Sequence, residues 1–281
     1  HALDASMAPA NLAAVAAIQS WAAMRDQGHT AGRRIVEGYG PETFGQRMAE
    51  VYDAWYGTRL ADRTTEAAVD VLAELAAGGT VLELGIGTGR VALPLARRGL
   101  AVRGIDASPA MVDKLREKPG GKALSVAIGN FTDVTVPGQF DLIYLVFNTL
   151  FNLTSQDEQV RCFGNVAKHL TARGVFVIEA FVPDVAELGT GSMRPVDVTA
   201  DAVTLEVSRH DRVSQRVDYQ YVVLRGGGVE LYGVPQRYAW PSELDLMART
   251  AGLALRHRWA DWNRAPFTAE SRQHVSVYAR R

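Results

Sequence analysis

The run Val81-Leu82-Glu83-Leu84-Gly85-Ile86-Gly87-Thr88-Gly89-Arg90 sets three glycines at alternate positions directly after an apolar stretch, with an acid two residues before the first. Glycines at that spacing let a chain turn sharply and approach a ligand where any Cβ would collide. Asp106 lies 21 residues beyond Gly85, at the end of the next apolar run. From there a carboxylate can accept hydrogen bonds from both hydroxyls of a ribose. Loop and acid together point to a cofactor that contains adenosine. A tight strand-to-helix turn without a ligand would explain the glycines alone, but not Glu83 and Asp106 in register with them.

Two large groups of adenosine cofactors remain, and the spacing separates them. Dinucleotide enzymes use G-x-G-x-x-G, with the pyrophosphate on the helix N-terminus. Here the spacing is G-x-G-x-G, and Glu83 would repel a pyrophosphate while suiting the ammonium of a bound amino acid. No tyrosine is followed by lysine four residues later, so the usual short-chain reductase pair is absent.

The segment resembles motif I of the class I S-adenosylmethionine-dependent methyltransferases, and the resemblance runs from about Tyr52 to Arg280. It implies S-adenosyl-L-methionine as cofactor and S-adenosyl-L-homocysteine as product. It also implies that Gly85, Gly87 and Gly89, with Thr88 and Arg90, hold the methionine part. Asp106 would take the ribose, with Ala107 and Met111 beside the cofactor. Asn130-Phe131 matches the adenine-contacting acid or amide with its apolar neighbour, and Val146–Asn152 falls where residues face the transferred methyl. Tyr52 or Tyr56 would cover the methionine carboxylate, although with Trp55 such residues are more often simply a core stripe. The late segments around Arg237–Leu244 and His274–Tyr278 are similar to bacterial small-molecule tailoring enzymes, including amino-sugar N-methyltransferases.

Candidates for the chemical step are fewer. Asn148, three residues before Phe151, could orient an acceptor N–H or O–H, or could serve turn chemistry alone. His210, next to Asp211, is a candidate base. No histidine has metal-ligand spacing, so no metal is expected, and Cys162 in an apolar helix reads as inert core.

These residues need a frame. From Thr80 onward, short apolar runs (Thr80–Leu84, Ala101–Ile105, Ala123–Ile128, Phe140–Val146, Gly174–Ala180) alternate with amphipathic segments (Arg90–Arg98, Ser108–Lys118, Gln156–Thr171). That alternation predicts an α/β fold with a doubly wound, Rossmann-like parallel sheet. Helices over 7–28, 41–57 and 62–77 should precede it. Between Phe181 and Trp240 the pattern changes to period-2 segments, Val203–Arg209, Val217–Leu224 and Val229–Val234, which predicts an antiparallel insertion acting as a lid or substrate element. Helix Pro241–Ala251 and strands Leu253–Trp259 and His274–Arg280 then complete the sheet. The expected organisation is a tag remnant and helical arm over 1–40, a cofactor domain over 41–180 and 241–281, and an insertion over 181–240.

Composition bounds the partners. The 281 residues carry 30 basic and 31 acidic side chains, a formal net charge of -1, so no uncompensated basic face invites nucleic acid. No apolar run approaches the ~18 residues of a membrane span. A single cysteine excludes an internal disulfide, and no signal-peptide pattern is present; the expectation is a cytoplasmic enzyme. The acceptor should be a small, largely apolar or aromatic molecule, enclosed by Tyr219, Tyr221, Tyr232, Tyr238 and Trp240. The narrow stripe Leu12, Val15, Ile18 and Trp21 on Met7–Gly28 suggests a homo-oligomer formed through that helix. Methyl transfer to N, O or C by alignment is the functional expectation. A nicotinamide oxidoreductase and a non-catalytic adenosine-binding module are the alternatives.

Overall fold

The computed structural model describes residues 44–56, 61–133 and 136–281, and the expected helix over 7–28 lies outside them. Strand β1 (Thr80–Leu84) is buried at every position after the first, Glu83 included. Such a nearly continuous apolar strand fits the centre of a sheet covered on both faces. Around it stand β2 (Ala101–Asp106), β3 (Ser125–Ile128), β4 (Phe140–Leu145) and β5 (Leu170–Phe181), with β10 (Leu253–Trp259) and β11 (Gln273–Arg280) at the far edge. The order across this seven-stranded sheet is β10-β11-β5-β4-β1-β2-β3. Strands β1 to β5 run parallel, and β11 lies antiparallel to both β5 and β10.

The chain moves outward from β1 through β2 to β3, then returns to β1's other side with β4. This reversal opens a crevice at the carboxyl ends of β1 and β4, where open α/β sheets bind ligands. Six helices flank the sheet: α1 (Gln46–Tyr56), α2 (Ala61–Ala76), α3 (Ala92–Arg97), α4 (Pro109–Glu117), α5 (Gln156–His169) and α6 (Pro241–Thr250). Two of them have starts written in the sequence. Ser108 caps α4 by accepting the Met111 N–H, with Pro109 at the first helical position. Ser155 and Glu158 form a reciprocal capping box on α5. Cys162 is fully buried in α5, as expected of a core thiol.

The described residues form two compact units, 44–185 with 236–281 and, separately, 186–235. The second holds a four-stranded antiparallel sheet in the order β6-β7-β8-β9, built from β6 (Gly191–Val198), β7 (Ala202–Asp211), β8 (Arg216–Arg225) and β9 (Gly228–Arg237). Its limits fall inside the 181–240 expected from sequence, because β5 continues to Phe181 in register with Gln273. At the other end, Arg237 belongs to the larger unit, donating to Gln159 Oε1 at 2.6 Å and Glu243 Oε1 at 2.8 Å. Strand β6 was not expected. Its Pro195 argues against a central strand, and β6 is an edge strand, where proline is tolerated.

Candidate active site

The loop after β1 lies at the crevice. Gly85, Gly87 and Gly89 all take positive φ, 74°, 53° and 80°, which no other residue type adopts cheaply. Their surroundings differ. A Cβ on Gly85 would meet Thr149 Cγ2 at 2.5 Å, and one on Gly89 would overlap the Leu115 and Leu93 side chains. A Cβ on Gly87 would touch Met111 Cε at 3.4 Å and the Gly85 carbonyl at 4.0 Å, ordinary van der Waals contact. Gly85 and Gly89 are therefore required by packing, whereas Gly87 is required by its left-handed backbone alone.

Two acids lie beside the loop. Asp106 ends β2 and accepts the Gly87 N–H on Oδ2 at 2.6 Å and the Ser108 N–H on Oδ1 at 2.8 Å. Burial raises its pKa and these two backbone bonds oppose the rise. Ala107 follows at the strand end, and Met111, on α4, is 3% exposed below Gly87. Glu83, from β1, is 3% exposed and accepts the Tyr144 O–H at 2.8 Å. Burial pushes the Glu83 carboxyl up to about 8, against the Tyr144 hydrogen bond and the Arg90 charge. The buried acid is thus held by a neutral hydroxyl, with the Arg90 charge acting on it.

Aromatic rings and one guanidinium form the opposite side. Tyr52 and Tyr56 of α1 lie 4.8 Å apart between ring centroids, and Tyr56 stands edge-on to Phe147 at 5.3 Å. Arg90 donates to Thr65 Oγ1 at 2.7 Å and places its guanidinium 5.0 Å from the Phe147 centroid. Burial raises the Tyr52 phenol despite the Arg90 charge. Val146, buried, ends the β4 run and accepts the Thr149 hydroxyl at 2.7 Å. Asn148 accepts the Phe181 N–H on Oδ1 at 2.8 Å.

Further expected residues also have side chains engaged by the protein. Thr88 donates to Asp53 Oδ1 at 2.6 Å, so its hydroxyl ties the glycine loop to α1. Asn130 accepts the Thr132 N–H on Oδ1 at 3.0 Å and receives the Thr132 hydroxyl at 2.9 Å. What Asn130 offers a ligand is its NH2 donor, suited to a ring nitrogen rather than to an exocyclic amine. Phe131 beside it is buried, and its carbonyl accepts from Asn165 at 3.1 Å. His210 belongs to the smaller unit, on β7, with Nδ1 3.0 Å from the Gly189 carbonyl; the neutral ring then carries its basic nitrogen at Nε2. The expected aromatic set divides too: Tyr219, Tyr221 and Tyr232 lie in the smaller unit, Tyr238 and Trp240 in the larger.

Other residues at the site were not anticipated. Asp53 also pairs with Lys118 at 2.7 Å, and Lys118 donates to the Thr88 carbonyl at 2.9 Å. Glu179, an acid inside the apolar run of β5, accepts the Phe147 N–H at 2.8 Å and the Trp262 indole N–H at 2.8 Å. Its charge within that run was the available signal. Among the described residues no cluster of histidine, cysteine or acids could hold a metal ion.

The arrangement fits a sulfonium amino acid joined to adenosine. It has a close-approach glycine, an acid at the end of β2 for hydroxyls, and a buried acid suited to an ammonium. Comparison with known proteins agrees. A family described as "Methyltransferase domain" matches residues 81–174. The CcbJ methyltransferase of Streptomyces caelestis is 41% identical, with 86% of this chain and 99% of that one covered at a TM-score of 0.81. The cypemycin N-terminal methyltransferase of a Streptomyces species is 29% identical over 205 residues, 72% of this chain and 84% of the relative. The fold is shared with the sugar N-methyltransferase KedS8 of Streptoalloteichus sp ATCC 53650, 22% identical with 90% and 100% covered at a TM-score of 0.62.

Proposed function

This chain belongs to the class I S-adenosylmethionine-dependent methyltransferases, and we propose that it methylates an amine nitrogen of a small natural product in antibiotic biosynthesis. The nicotinamide and non-catalytic alternatives have no support. S-adenosylmethionine supplies an electrophilic methyl on a sulfonium. The observation that carries the site assignment is the buried Glu83 at the end of the strand that leads into a left-handed glycine loop, whose Gly87 N–H is held by Asp106.

In this reading Glu83 receives the methionine ammonium, Arg90 with Tyr52 and Tyr56 receives the carboxylate, and Gly85, Gly87 and Gly89 give close approach. Asp106 accepts the ribose hydroxyls, with Ala107 and Met111 lining that side. Asn130 and Phe131 take the adenine, the amide donating to a ring nitrogen. Thr88 acts indirectly, through Asp53. Val146 and Asn148 lie on the methyl side, Asn148 offering its Nδ2 donor to an acceptor oxygen.

An amine acceptor is supported by the name of the cypemycin relative, an N-terminal methyltransferase, and by chemistry. A neutral amine attacks with its own lone pair, so alignment can supply ~7–11 kcal/mol without a protein base. His210 would be required as a base only for a hydroxyl acceptor. The near-zero net charge supports a small acceptor over a nucleic acid. Among the described residues no helix is long and apolar enough to cross a membrane, and we place the enzyme in the cytoplasm. A homo-oligomer joined through residues 7–28 completes the reading.

Calorimetry with S-adenosylhomocysteine and NAD, followed by labelled methyl transfer to amine and hydroxyl acceptors of matched size, tests the function. Binding of NAD alone, or transfer only to oxygen, overturns it. Light scattering of the chain lacking residues 1–30 tests the oligomer; an unchanged assembly removes it.

A further inference from the structure

Directly after β4 two successive residues hold left-handed backbone, Phe147 at φ 58° and Asn148 at φ 62°. Non-glycine residues in that region store strain, and they persist only where neighbours over-determine them. Here the neighbour is Glu179. Its Oε2 accepts the Phe147 N–H at 2.8 Å, and its backbone carbonyl accepts the Asn148 N–H at 3.2 Å. Its Oε1 accepts the Trp262 indole N–H at 2.8 Å, and Trp262 is itself 3% exposed in the core. Held in this way, the Phe147 ring meets Tyr56 at 5.3 Å and lies 5.0 Å from the Arg90 guanidinium.

We propose that Glu179 is a positioning residue for the methyl-donor site: shared between Phe147 and Trp262, its carboxylate holds the strained turn whose aromatic ring orders Tyr56 and Arg90. The inference rests on the reading of Tyr56 and Arg90 as contacts of the donor's methionine part. A carboxylate is needed because two N–H donors converge on one side chain, and each requires an accepting oxygen. An amide of the same shape must turn its NH2 towards one of them. The strained turn then loses its hold, or Trp262 does.

Three variants test this: Glu179→Gln, Trp262→Phe and the double variant. Each is titrated with S-adenosylhomocysteine, and the indole N–H resonances are recorded. Glu179→Gln should bind about tenfold more weakly, as expected for loss of one charge-assisted hydrogen bond, while still unfolding cooperatively. The Trp262 resonance, identified by its absence from Trp262→Phe, should move upfield. In the Trp262→Phe background only the Phe147 N–H remains, and the glutamine oxygen can accept it. There the same substitution should cost less than about threefold. Parent-like binding by Glu179→Gln, or an equal loss in both backgrounds, overturns the proposal. A parent protein that does not bind S-adenosylhomocysteine overturns the donor-site reading itself, and Glu179's role with it.

Discussion

Gly87 donates its backbone N–H to Asp106 Oδ2 at 2.6 Å, so a single charged hydrogen bond ties the loop after β1 to the end of β2. Asp106 therefore acts twice, holding the loop and presenting a carboxylate. Asp106→Ala should weaken S-adenosylhomocysteine by ~1.5–3 kcal/mol, roughly tenfold to 150-fold. Asp106→Asn, which keeps one accepting oxygen, should lose less. Calorimetry on both variants checks the order; parent affinity in Asp106→Ala would refute the ribose assignment.

Glu83 makes donor binding depend on pH. Its carboxyl titrates near 8 instead of its ordinary 4.5, because burial disfavours the charged form. Pairing with an ammonium lowers that value again, so at pH 7 binding should release up to about one proton. Affinity should rise with pH until about 8. In the ligand-free protein the sign is reversed: the folded state holds the proton more tightly, so stability falls as pH rises from 4.5 through about 8. Glu83→Gln should remove both effects. Calorimetry in buffers of different ionisation enthalpy measures the proton, and melting curves across that window measure the stability.

The three glycines should fail in different ways. Gly87→Val adds a side chain where a Cβ makes only van der Waals contact with Met111 and the Gly85 carbonyl, so cofactor binding should be lost while the protein stays folded, less stable by ~1–2 kcal/mol for the left-handed backbone. Gly89→Val overlaps Leu115 and Leu93 in the core and should lower the melting temperature far more. Gly87→Val with parent affinity would show that the donor does not approach this loop.

The Asp53 link can be tested from α1. Asp53 accepts the hydroxyl of buried Thr88 and pairs with Lys118, and both members of that ion pair are partly exposed to solvent. Asp53→Ala should cost little stability, since exposed pairs are worth ~1 kcal/mol or less. It should weaken S-adenosylhomocysteine several-fold by freeing Thr88, and Lys118→Ala should do less. Equal losses from both would assign the effect to charge rather than to the Thr88 hydroxyl.

What could be read from the chain was local. Thr80–Leu84 and Leu253–Trp259 form strands with the expected limits, because glycines mark their ends, Gly79 and Gly85 for the first and Gly252 before the second. The distance from the glycines to Asp106 places it at the end of β2, where it meets the Gly87 N–H. Asn130-Phe131-Thr132 contains an Asx turn, but its effect on which amide atom a ligand meets emerges only from the Thr132 geometry. The other surprises are long-range. Thr88 meets Asp53 across 35 residues and Glu179 meets Trp262 across 83, and no periodicity records such meetings. Strand β6 escaped notice because Pro195 interrupts its pattern, an interruption that an edge position permits.

The bond from Arg237 to Gln159 and Glu243 anchors the chain where it re-enters the larger unit, and β5 anchors it where it leaves. Between those two fixed points, 186–235 is a self-paired sheet. Such a segment behaves as a cassette: its length and sequence can change while the residues proposed for the donor, all of them outside it, keep their places.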